Sequence, residues 1–103
     1  LVARLQTLAP SAVLVLGDVP PARYDLTGNG IVKPLNDTAR ALADAATSGK
    51  VLSAPTFRRL LDAGFRLDTD TVDGQHFSVA GGIKFADAWY PPVVEALARA
   101  TTC

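Results

Sequence analysis

Two short apolar runs, Ala12-Val13-Leu14-Val15-Leu16 and Val51-Leu52-Ser53-Ala54, with a helix-patterned segment between them, most restrict what this chain can fold into. The first is apolar at every position and ends at Gly17-Asp18, the pattern of a strand covered on both faces, as in parallel sheets. Parallel neighbours cannot be joined by a tight turn and need a crossover, usually a helix. The segment between the runs supplies one. Pro34 suits a helix start, with φ already fixed and no N–H left unpaired. Leu35, Ala39, Leu42 and Ala46 then share a face, Asp37, Arg40 and Asp44 lie off it, and Gly49 is a C-terminal stop. The pattern predicts a parallel pair with a right-handed crossover.

The flanking segments fit the same α/β class. Leu1, Leu5 and Leu8 recur at helical spacing until Pro10, and no capping residue precedes Leu1. Val19-Pro20-Pro21 must be loop, and residues 25–32 carry turn chemistry in Thr27-Gly28-Asn29-Gly30. Thr56 is placed to cap a third helix, with Phe57, Leu60 and Leu61 inward and Gly64 closing it. Residues 66–77 read as a polar loop. Ser78 then caps a last helix with Ile83, Phe85, Ala86 and Trp89 as its apolar positions. Pro91-Pro92 predicts a kink, or a break with a restart, before Val93, Val94, Leu97 and Ala98 resume. Two strands make a poor sheet. The expectation is the C-terminal portion, residues 1–103, of a larger α/β domain whose N-terminal part is missing.

Composition narrows the function. Ten basic and ten acidic residues leave no net charge, so neither nucleic acid nor an anionic membrane surface is suggested. No apolar run approaches the ~20 residues that span a bilayer, and no basic-then-apolar secretory start is visible. The single cysteine, Cys103, excludes a disulfide within the chain; its thiol is either free or paired with another segment. One histidine and one terminal cysteine make no first-row metal site, and Asp68, Asp70 and Asp73 lack calcium-loop spacing, so they read as a solvated loop. Gly28-x-Gly30 lies in the wrong context for a phosphate cradle. No cofactor is expected. Phe85 and Trp89, at helical spacing, read as core.

The only histidine sits in Asp73-Gly74-Gln75-His76-Phe77-Ser78-Val79-Ala80-Gly81-Gly82. Asp73 is close enough for its carboxylate to reach the imidazole across the Gly74-Gln75 turn, and Gly74 frees that turn to fold the two side chains together. Such a contact fixes the tautomer and stabilises the imidazolium, as the acid of a triad does. The pair lies in a loop beyond a strand–helix unit, where active sites of open α/β sheets collect. The alternative is a structural imidazole beside a loop carboxylate.

The run "DGQHFSVAGGIKFADAW" resembles the last motif of the SGNH hydrolases, also known as the GDSL family of lipases and esterases. There an Asp-x-x-His segment, followed by a small residue and a glycine opening a helix, supplies the acid and base of a Ser-His-Asp triad. Asp73 and His76 match the acid and base; Ser78 and Gly81 match the residues that open the helix. "AVLVLGDVPPA" is similar, more weakly, to the late strand and proline-containing loop of those enzymes, and "NDTARALADAATSGKVLSAP" to the helix and strand that follow. The resemblance implies a partial three-layer α/β/α, flavodoxin-like fold with parallel strands and an extracytoplasmic or secreted setting.

The family's nucleophile is not matched. Its Gly-Asp-Ser motif and its glycine and asparagine oxyanion donors have no counterpart. Gly17-Asp18-Val19 lies too close to His76 for the intervening strands, and Pro20-Pro21 prevents the helix that should follow a nucleophilic serine. Ser11 precedes the first strand, Ser48 lies near a helix end, Ser53 is within or just past the second strand, and Ser78 is a cap. Asn29 reads as a turn residue and Asn36 as first-turn helix. The resemblance implies an ester hydrolase or O-acyl transferase acting on an acyl ester or acylated carbohydrate. Its serine would come from an N-terminal segment of the same domain. Arg23, Arg58 and Arg59 are candidate contacts to an acyl acceptor. The competing expectation is a non-catalytic binding or interaction module of the same fold.

Overall fold

A computed structural model describes residues 1–100, and Cys103 lies outside the described residues. The elements are α1 (Val2–Leu8), β1 (Leu14–Gly17), α2 (Lys33–Ala45), β2 (Val51–Ala54), α3 (Thr56–Asp62), α4 (Leu67–Asp70) and α5 (Val79–Ala100). β1 and β2 pair in parallel, with Leu14 opposite Val51 and Gly17 opposite Ala54. The class is α/β. Both α2 and α5 pack on the strand pair, and α3 and α4 pack on α5.

β2 behaves as a core strand, with Val51, Leu52 and Ala54 buried. β1 does not. The run expected to be covered on both faces is half-buried along its whole length. The α2 face expected to point inward is also open, with Leu35 61% and Leu42 44% exposed. α1 buries none of its residues. Together these elements border an apolar groove of about 530 Å³, lined among others by Val2, Val15, Leu35, Ala39 and Leu42. The pattern reported each apolar face correctly, but not whether anything covers it.

Polar side chains tie the strand ends to the helices. Asp18 is buried; its Oδ2 pairs with Arg40 at 3.1 Å and accepts the Phe57 N–H at 3.3 Å, hooking the end of β1 to α2 and α3. Asn36 is buried as well. Its Oδ1 accepts the Val19 N–H at 2.7 Å and its amide donates to the Val19 carbonyl, closing the proline loop onto α2. Thr56 does not cap α3: Pro55 takes that position, and the buried Thr56 hydroxyl donates to the Asp18 carbonyl. Gly17 gives room to α5, since a Cβ there would lie 2.3 Å from the Trp89 ring.

Two further expectations are corrected and a third is narrowed. Residues 66–77 hold the short helix α4 and an antiparallel bridge between Thr71 and Phe77. Asp70 is not solvated; it is buried and bonded to Lys84 at 2.9 Å. Of the kink or break expected at Pro91-Pro92, the break is excluded, since α5 runs uninterrupted to Ala100. Ala88, Pro92 and Ala96, spaced at four residues, are all buried, so tertiary packing on both sides of the prolines holds the helix together.

Candidate active site

The loop holding Asp73 and His76 is closed at its base and anchored from beneath. The Thr71–Phe77 bridge and the Val72 N–H to His76 carbonyl bond at 2.9 Å shut the loop. Phe77 packs against Phe65 and Phe85, at ring distances of 6.1 and 4.8 Å, and borders the Leu60, Phe65 and Ala88 core. Phe77 inside thus fixes where His76 stands outside. Below, the end of α4 meets the start of α5. The Ser78 N–H donates to the Asp70 carbonyl at 2.9 Å, and the Ser78 hydroxyl donates to the Thr69 carbonyl at 2.7 Å. That hydroxyl also accepts the Gly81 N–H at 3.2 Å, the helix cap expected of this serine.

Within the loop, Gly74 adopts φ +84°, which an L side chain resists, and its N–H donates to the Thr71 hydroxyl at 2.9 Å. This turn brings Asp73 over His76. Asp73 Oδ1 accepts the His76 N–H at 2.7 Å and the Gln75 N–H at 2.9 Å, while Oδ2 lies 2.6 Å from His76 Nδ1. The His76 backbone N–H, then its ring, then the Gln75 N–H hold the Asp73 carboxyl well below the usual carboxylate range. An ionised carboxylate only accepts, so Nδ1 carries the proton, and in the neutral ring the lone pair lies on Nε2. The imidazole is 72% exposed and Asp73 48%. The ring is therefore both oriented and approachable.

No serine joins this pair among the described residues. Ser11, Ser48, Ser53 and Ser78 make no hydrogen bond to the ring; Ser48 accepts the Lys50 N–H, and Ser53 lies in β2 opposite Leu16. Asn36 spends its amide on Val19. Asn29 is exposed beside Gly28, whose φ is +77°, so it serves the turn. No group of three metal-ligating side chains occurs among the described residues.

Two carboxylates outside the pair brace the site. Asp25 is buried, which raises its carboxyl, but N–H bonds from Val32, Gly28, Thr27 and Gly30 outweigh that and hold it low. Asp70 is held low first by the Lys84 ammonium, then by the Arg66 N–H. Asp25, Asp70 and Asp73 are each depressed below the ordinary 3.8. Their stabilisation is complete above that value and is lost as pH falls through the depressed ones. Urea midpoints are expected to be level from about pH 7 to about pH 5 and to fall steeply below about pH 4. The Asp70→Asn variant is expected to flatten that fall, and a midpoint that rises on acidification contradicts the assignment.

No family model matches the chain, and neither does any curated protein. Among solved structures, the chain is similar to one from Streptococcus pneumonia, provisionally named a platelet activating factor. The two share 23% identity at a TM-score of 0.66, over 85% of this chain and 44% of the other. The likeness is one of fold, and this chain spans less than half the length of that structure.

Proposed function

We propose that residues 1–103 are the C-terminal portion of an SGNH-type ester hydrolase or O-acyl transferase domain, contributing the base and acid of a Ser-His-Asp triad. The 2.6 Å contact between Asp73 and the exposed His76 carries this reading. The nucleophile comes from a polypeptide segment other than the four serines here. Its hydroxyl attacks the ester carbonyl as His76 Nε2 takes the proton. Asp73 stabilises the resulting imidazolium, which returns the proton to the departing alcohol as the carbon–oxygen bond breaks. Water, or an acceptor hydroxyl such as that of a carbohydrate, then takes the acyl group with the same base assisting. General-base assistance of this kind contributes about 10²–10⁴-fold.

The isolated 103 residues are expected to give no product burst from an aryl ester and no adduct with a fluorophosphonate probe. A form that also carries a Gly-Asp-Ser segment is expected to give both. A burst from the isolated chain contradicts this division of labour. An unreactive serine-bearing form favours the binding module.

A further inference from the structure

We infer that Arg23 is a positioning residue for the acid–base pair, acting as a latch between the loop after β1 and the loop of Asp73 and His76. The inference rests on reading those two side chains as a working pair. Two loops distant in sequence meet at this residue. The Arg23 N–H donates to the Gly74 carbonyl at 2.7 Å, and its Nη1 lies 3.4 Å from the Asp73 carbonyl. Its aliphatic stem lies over Gly74, where a Cβ would come within 3.1 Å of Arg23 Cβ and 3.2 Å of Cδ. Both carbonyls flanking the Gly74 turn are thus held from the same side by one residue.

A latch needs a rigid mount, and the loop after β1 provides one. Ala22 and Pro21 are buried, and Ala22 bridges to Asp25. The Asp25 carboxylate knots that loop by accepting the N–H groups of Thr27, Gly28, Gly30 and Val32 and the Thr27 hydroxyl. Arg23 projects from this knot and is itself exposed, so its side chain is not spent on core packing. Gly74 is held from the other side by the Thr71 hydroxyl. The Asp73–Gly74 peptide is therefore gripped from two directions, and the carboxylate hanging from it faces His76.

The test needs no ester turnover. Imidazole nitrogen shifts of His76, read in the 103-residue chain at about pH 8.5, report which nitrogen carries the proton. The unaltered chain is expected to show Nδ1–H. Arg23→Ala is expected to move His76 toward the mixed tautomers shown by Asp73→Asn, with little change in melting temperature, because the residue is exposed. Arg23→Lys keeps the stem and a charge, and is expected to restore most of the Nδ1–H signal. Unchanged nitrogen shifts in Arg23→Ala overturn the inference. So does a loss that tracks a fall in melting temperature and is not recovered by lysine. If the shifts depend on Arg23 yet no serine-bearing form cleaves esters, the latch stands and the enzymatic reading falls.

Discussion

Gly81→Ala is expected to unseat the loop of Asp73 and His76, while Gly82→Ala next to it stabilises the chain. A Cβ at position 81 would lie 1.9 Å from the Asp70 carbonyl oxygen and 2.8 Å from its carbon, backbone that no rotamer change can move aside. That same carbonyl accepts the Ser78 N–H, so forcing it away also breaks the junction that supports His76 from below. Overpacking a fitted site costs about 1–3 kcal/mol and occasionally more. With main chain on both sides, the loss belongs at about 3 kcal/mol or above. At position 82 nothing lies within 4 Å of an added Cβ. The ordinary helical preference for alanine then applies, a gain of about 0.5–1 kcal/mol. Urea denaturation of both variants checks the pair. Equal stabilisation by the two substitutions contradicts the close packing of α4 on α5. The Gly82 variant keeps the comparison informative even where Gly81→Ala does not fold.

The second large effect is chemical. In a form that carries the nucleophile, Asp73→Asn is expected to lower kcat by about 10⁴-fold, because an amide no longer holds the imidazole as the Nδ1–H tautomer. His76→Ala removes the proposed base itself and is expected to cost as much or more. The double variant should be little worse than His76→Ala, since residues acting as one unit are not additive. Asp73→Asn gives up that carboxylate's share of the stability at neutral pH, so each variant is assayed below its own melting temperature. Single-turnover hydrolysis of an aryl ester measures the effect. A kcat within tenfold of the unaltered form in both single variants contradicts the roles assigned here.

The pair was legible in the sequence because its geometry is local. Asp73 and His76 are three residues apart, and one glycine with positive φ closes the distance. The strands were legible for a related reason: apolar runs at β1 and β2 state their own periodicity, although β1 begins two residues later than its apolar run. What stayed hidden depends on partners distant in sequence. Asp70 read as solvated because its burial is made by Lys84 and α5. Arg23 offered no spacing signal, since its partners lie about fifty residues on. Asn36 looked like ordinary first-turn helix, and only the fold reveals its grip on Val19. Leu35 and Leu42 misled in the opposite sense. Amphipathic spacing says which face avoids water, not whether a neighbour is there to cover it.

The proline pair in α5 follows the same logic. Local chemistry weakens the helix at Pro91 and Pro92, since neither donates to the turn before it. Buried contacts at Ala88, Pro92 and Ala96 override that weakness. Propensity decided the start of the helix, where Ser78 caps it; tertiary packing decided its middle.

Everything chemical proposed for this protein comes down to where one proton sits on one ring. Imidazole nitrogen shifts recorded for His76 on the neutral side chain locate it directly. A protonated Nδ1 beside a bare Nε2, reverting to mixed tautomers in Asp73→Asn, is the predicted result. A bare Nδ1 with the proton on Nε2 would leave Nε2 without the lone pair that is to take the hydroxyl proton, and would contradict the account.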